Sequence, residues 1–323
     1  MTAVTHDAPV ASAPRHTTSG LGLALVSAVA FGLSGALARP LLDAGWSASA
    51  VVLVRIGLGA VAVVPFGLAS LRGRWRLLRA NLPTVLLYGV LAVAGAQYCY
   101  FSAVRTMDVG PALLIEYTAP VAVVGWLWLR RGHRPSALTV VGAAVAAVGL
   151  LLVLDLFSGA DVDLTGALWA LGAMVGAASY FLISADDSTG VPPLALASGG
   201  LVVGGAALGL LALVGALPMR ASTVSVTYAD HDVAWWVPLV LLGLVTAALS
   251  YVSGIAASRL LGARLASFVA LSEVVAAVLW AWALLAQLPG LVQLLGGALI
   301  LAGVVAVRAG EPMPADAGEP ELL

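Results

Sequence analysis

Between residues 20 and 308 the chain alternates apolar runs of 19 to 25 residues with short breaks of proline, arginine, aspartate and glycine. About 20 mainly apolar residues, rising about 1.5 Å each, cross a hydrocarbon core of roughly 30 Å. The runs cover 20–42, 48–70, 82–104, 109–129, 136–154, 164–184, 192–216, 235–258, 263–286 and 290–308, which predicts an all-α integral membrane fold of ten transmembrane helices. Arg39-Pro40, the stretch Arg72 to Arg79, His133-Arg134-Pro135, Asp186-Asp187, Pro192-Pro193 and Pro289-Gly290 punctuate them. Ala36-Leu37-Ala38 looks like a signal cleavage site, but the run before it exceeds the about 7 to 15 apolar residues of a signal segment. The first run is therefore predicted to be a retained span.

The pattern repeats. A shift of 154 residues, without a gap, superposes Ala103 on Ala257, Arg105 on Arg259, Trp126 on Trp280, Trp128 on Trp282, Pro135 on Pro289, Gly142 on Gly296 and Gly149 on Gly303. Tryptophan and proline are scarce enough that such coincidences carry weight. Residues 20–155 and 164–308 thus read as two five-helix halves, flanked by polar tails at 1–19 and 309–323. Five is odd, so the halves enter the bilayer in opposite senses. Inverted repeats are characteristic of secondary transporters, in which the substrate site lies near the midplane between the halves. A scaffold or receptor with a duplicated membrane domain is the competing reading. The runs are also rich in small residues, which let membrane helices approach closely.

Composition narrows the picture. Of 323 residues 61% are hydrophobic and 10% charged, against roughly 25% charged in a soluble domain, so no sizeable soluble unit is present. All fifteen basic residues are arginine and the net charge is −1, which excludes a clustered nucleic-acid-binding face. Arginine also predicts orientation. With the N-terminus inside, cytoplasmic segments hold eleven arginines and external ones only Arg39, Arg105 and Arg220, which predicts that both termini are cytoplasmic. Asp155, Asp161, Asp163, Asp230 and Asp232 then gather outside. Trp126 and Trp128, like Trp235 and Trp236, read as interface anchors.

Two stretches resemble a known family. DVGPALLIEYTAPVAVVGWLWLRRGHRP (Asp108 to Pro135) and VVLVRIGLGAVAVVP (Val51 to Pro65) are similar to EamA-type transporters of the drug/metabolite transporter superfamily, and the likeness extends over nearly all of 20–308. LIEYTAP is also similar to a segment of threonine/homoserine exporters in that superfamily. The resemblance implies two inverted five-helix repeats around a central cavity, exporting amino acids, other metabolites or toxic compounds across a bacterial-type inner membrane. One departure is that Pro120 is matched in the second half by Val274, so site geometry is not expected to copy from one half to the other.

Ionisable residues within spans are costly unless paired or wetted, and so mark candidate pathways. Three lie well within the spans, away from their ends: Arg55, Glu116 and Glu273. Arg55 and Glu116 each lie about seven residues from the outer end of a helix, roughly 10 Å deep, and could form a charge pair with Arg55 open to a substrate carboxylate. The alternative is that Arg55 extends to the interface and Glu116 is protonated. Glu273 lies near the midplane, where it could bind and release a proton, making protons a candidate partner; a polar helix-packing role competes. Gln97 and Tyr117 are the preferred uncharged members, ahead of Ser34, Tyr98, Tyr100, Ser179, Tyr180, Ser250, Tyr251 and Ser272. Serine in a helix more often bonds its own backbone.

No nucleophile with a convergent base, metal-ligand spacing or phosphate-binding loop is visible. His6, His16, His133 and His231 fall in tails or loops, and the lone Cys99 supports neither a disulfide framework nor a cysteine metal site. No metal or cofactor is expected, and the reading is a gradient-driven transporter of a small molecule rather than an enzyme.

Overall fold

A computed structural model describes residues 13–103, 106, 109–132, 134–153, 163–229, 231–288 and 290–310. Arg105, Asp108, His133, Asp155, Asp161, Asp230, Pro289, His6 and most of both polar tails lie outside the described residues. The chain is a helical bundle. In the first half α1 (Ala13–Asp43) and α2 (Ala48–Ser70) lead through a short helix, α3 (Trp75–Ala80), into a composite segment of α4 (Leu82–Leu87), a π-helical stretch π1 (Tyr88–Gly95) and α5 (Ala96–Ala103). Then come α6 (Val109–Glu116), α7 (Ala119–Arg131) and α8 (Ala137–Val153). The second half runs α9 (Leu164–Ala185), α10 (Pro193–Leu213), a β1–β2 hairpin (Val226–Tyr228, His231–Val233), α11 (Trp236–Gly243), π2 (Leu244–Leu249), α12 (Ser250–Ala270), α13 (Ser272–Leu285) and α14 (Leu291–Gly310).

Among the described residues eight helical segments are long and apolar enough to cross a membrane, and Ala137–Val153 and Ser272–Leu285 are shorter apolar helices. The stretch Trp236–Ala270, 35 residues, holds two helices that meet at a kink: Gly262, with a non-helical φ of 78° and ψ of 160°, separates the eighth apolar run from the start of the ninth. Large apolar side chains cover the perimeter: Leu129, Leu213 and Leu291 are each about 85% exposed, as suits a lipid-facing surface.

The 154-residue repeat is visible in the packing. The shift maps Gly142 onto Gly296 and Gly149 onto Gly303, and α8 crosses α14 through the reciprocal pairs Gly142 with Gly303 and Gly149 with Gly296. A Cβ on Gly142 would stand 2.7 Å from the Gly303 carbonyl oxygen, and one on Gly303 would stand 2.6 Å from that of Gly142. For Gly149 and Gly296 the two distances are 2.5 and 2.6 Å. Such reciprocity is the signature of a two-fold relation.

Irregular backbone repeats too. π1 spans 88–95 and π2 spans 244–249, within the shifted window 242–249. The fourth segment of each half is broken at equivalent points, Tyr117–Thr118 and Leu271. At each break a hydroxyl caps the carbonyl three residues earlier: Thr118 Oγ1 donates to Ile115 O at 2.6 Å, and Ser272 Oγ to Val269 O at 2.6 Å. Position 115 maps onto 269 and 118 onto 272. The helix break thus recurs in both halves despite the Pro120-to-Val274 difference. Pro120 has no N–H to give the Glu116 carbonyl, and Val274 N turns to Leu271 O at 3.1 Å, away from the Ala270 carbonyl.

One element had no hydrophobic run to announce it. The segment from Pro218 to the hairpin closes the end of the bundle opposite the arginine-rich loops. Ser47 Oγ donates to Pro218 O (2.8 Å) and accepts from Arg220 N (3.0 Å), while Trp46 Nε1 donates to Ser222 O (2.7 Å). Tyr228 in β1 donates to Leu37 O at 2.6 Å. Trp235 stacks on Trp46 at 6.0 Å, whereas Trp126, Trp128 and Trp236 stand about half exposed.

Overpacking a close crossing costs about 1–3 kcal/mol. Gly149→Ala is thus expected to lower the melting temperature of the detergent-purified protein, and Gly22→Ala, with nothing within 4 Å of its new Cβ, to leave it unchanged. Equal melting of the two variants would contradict the crossing.

Candidate functional site

A cavity of about 150 Å³ lies between the halves. Its wall is built from the irregular segments and α1 and α9, and it carries four pairs of repeat-related residues: Gln97 and Tyr251, Glu116 and Ala270, Tyr117 and Leu271, Ala119 and Glu273. A cavity lined by both members of each pair lies on the relation that exchanges the halves. Gln97 and Tyr251 follow π1 and π2; Glu116 and Tyr117 stand at the first helix break, and Glu273 follows the second. A larger cavity of about 1590 Å³ lies toward the arginine-rich end, with Arg134, Asp186, Asp187 and Arg264 in its wall.

Four of the five preferred sequence candidates, Gln97, Glu116, Tyr117 and Glu273, share this small cavity. The Tyr117 hydroxyl lies within hydrogen-bonding reach of the Glu273 carboxyl, and the charge of Glu273 acts on Glu116. Arg55 is different. It is 8% exposed and absent from the cavity wall; its Nη2 donates to the Thr246 carbonyl in π2 at 2.6 Å, and its Cζ lies 5.6 Å from the centre of the Phe31 ring. Neither sequence alternative for Arg55 describes this. No Arg55–Glu116 ion pair exists among the described residues, and the side chain does not reach an interface; its charge acts on Glu273 and Tyr251 from behind Phe31. Equal depth along two helices does not decide which faces meet, and here α2 turns its arginine toward π2.

Several hydroxyl candidates bond their own helices. Ser179 donates to Val175 O at 2.7 Å and Ser250 to Thr246 O at 2.6 Å. Tyr180 and Tyr251 do line the cavity, with ring centres 5.8 Å apart at 78°. Phe31 and Phe181 also line it and were not candidates, because polar chemistry was the selection rule. The one sequence signal for Phe31 is a large ring in a run otherwise rich in Gly, Ala and Ser.

With this geometry in view, comparison with known proteins is decisive. The EamA-like transporter family matches twice, over residues 18–155 and 164–309. The chain belongs to the EamA-like transporter family. It is thus a multi-pass membrane protein of a family of transporters rather than of enzymes, built on a family unit used twice. This EamA-like chain is 33% identical over 161 residues to the threonine/homoserine exporter RhtA of Salmonella typhimurium strain SL1344, covering 48% of this chain and 50% of that protein. RhtA of Escherichia coli K12 matches with the same identity and coverage. The chain therefore matches about half the length of these curated relatives. An uncharacterized transporter of Archaeoglobus fulgidus is 27% identical over 282 residues, 87% of this chain and 93% of its own. A solved crystal structure shares the fold, with a TM-score of 0.72 at 21% identity over 89% of this chain and 96% of that one.

Removing a hydrogen bond made by a buried charged group costs about 1.5–3 kcal/mol. Arg55→Met is therefore expected to lower the thermal stability of the EamA-like protein in detergent. An unchanged melting curve would remove the stapling role assigned to Arg55.

Proposed function

We propose that this protein is a secondary transporter that exports small amine-bearing metabolites, amino acids among them, by alternating access of a central site. The observation that carries this reading is the cavity on the two-fold relation, walled by broken and π-helical segments and holding two carboxyl groups. Broken helices meeting at a repeat interface are a recurrent way to build a transporter site. The reading includes ten membrane spans in two inverted sets of five, since the shorter helices Ala137–Val153 and Ser272–Leu285 each complete a half. Arginine placement supports cytoplasmic termini in a bacterial-type inner membrane, which would put the larger cavity on the cytoplasmic side as an entrance for export.

Glu116, Glu273, Tyr117 and Gln97 would contact the substrate, and Arg55 would hold π2 in place rather than touch it. A buried carboxyl such as Glu273 also suits the reading that a proton gradient drives the cycle.

The test is a growth screen of an overexpressing strain against toxic concentrations of amino acids, their analogues and simple amines. Protection against one class is expected, with Glu116→Gln and Glu273→Gln each abolishing it at equal membrane abundance. Wild-type protein that protects against none, or variants that protect as well as wild type, would contradict the reading. An imposed pH gradient is expected to change transport in vesicles, and indifference to it would remove the proton.

A further inference from the structure

The central cavity sets two carboxyl groups beside the neutral donors of Gln97, Tyr117, Tyr180 and Tyr251, with no cationic side chain among the described residues of its wall. Its two carboxyl residues, Glu116 and Glu273, share the wall with no arginine or histidine. Arg55 acts on Glu273 only from behind the Phe31 ring. The serines in the wall are already committed: Ser27 donates to Ser250 O at 2.9 Å, Ser258 to Gly254 O at 2.8 Å and Ser267 to Arg264 O at 2.7 Å. Among the described residues the Tyr180 hydroxyl, in a side chain 8% exposed, has no hydrogen-bond partner. Five rings, those of Phe31, Tyr117, Tyr180, Phe181 and Tyr251, complete the wall.

With both carboxyls ionised, two carboxylates and one guanidinium leave the site one positive charge short. A monocation between Glu116 and Glu273 brings the sum to zero, and buried charges persist where they are paired. Aromatic faces add attraction for a cation. A substrate carboxylate finds no cationic side chain in the wall: Arg55 lies behind the Phe31 ring with its Nη2 on Thr246 O, and ionised Glu116 and Glu273 would repel an anion.

We propose that the preferred ligand of this cavity is a small primary amine without a carboxylate. Its ammonium group lies between Glu116 and Glu273, and its apolar body lies against the aromatic wall. This deepens the transport reading and rests on it, since it names the class of substrate within the amine-bearing metabolites. Size agrees: an engineered apolar cavity of about 150 Å³ accepts benzene, so an amine of about that bulk is the right probe.

Three ligands that share a phenyl ring and differ in their charged groups test it: benzylamine, phenylglycine and benzoate. Equilibrium dialysis of the full-length, detergent-purified protein is expected to show benzylamine binding at least about tenfold more tightly than phenylglycine, with benzoate failing to compete. Glu116→Gln is expected to weaken benzylamine binding by about tenfold or more, and Glu116→Asp, which keeps the charge, by less. Melting curves for both variants identify any that fail to fold, and the wild-type ranking stands without them. Phenylglycine binding as well as benzylamine, benzoate competing, or none of the three binding would each overturn the proposal. The transport reading is judged separately, by whether the growth screen shows protection against any solute.

Discussion

In a lipid environment the backbone must satisfy its own hydrogen bonds, and the architecture follows from that constraint. Regular helix is obligatory wherever the chain faces acyl chains, so departures from it are affordable only where protein or a polar cavity can receive the freed groups. The departures are concentrated in this way. π1 and π2 lead into Gln97 and Tyr251, the break at Tyr117–Thr118 carries Glu116, and the break at Leu271 precedes Glu273. Gly262 interrupts α12 at the wall of the larger cavity. Irregular backbone and candidate chemistry coincide because the same water-accessible space accommodates both.

The scaffold is symmetric where it must pack and asymmetric where it must bind. The reciprocal α8–α14 crossing and the paired Thr118 and Ser272 caps are alike in both halves. The cavity pairs are not: each carboxyl faces an alanine at its equivalent position, Glu116 with Ala270 and Glu273 with Ala119. Both acids consequently share one space instead of occupying two separate sites. The hairpin is a second asymmetry, an addition to the second half that binds the ends of α1 and α2 through Ser47 and Tyr228.

Much of this was legible in the sequence because hydrophobic length and repeat spacing are long-range, additive signals. The 154-residue shift matched the four glycines that meet at the α8–α14 crossing without showing which of them touch, and the polar residues that share the cavity came from asking which side chains a bilayer tolerates poorly. What stayed hidden depends on helix rotation and on backbone detail. Arg55 has the depth of Glu116 but faces π2, a fact set by packing of α2 against the second half. The helix breaks at Tyr117–Thr118 and Leu271, each with a hydroxyl cap from Thr118 or Ser272, carry no signal in hydrophobic length. The hairpin leaves no hydrophobic run, and Phe31 carries no polar atom to draw attention.

The central claim, that a site on the two-fold relation opens to each side in turn, is most directly measured by thiol accessibility. A single cysteine placed by Ala270→Cys in a Cys99→Ala background would be exposed to a membrane-impermeant reagent in right-side-out and inside-out vesicles. The account predicts labelling from both sides, slowed in both by bound substrate. Labelling from one side only, whatever the substrate or gradient, would contradict it.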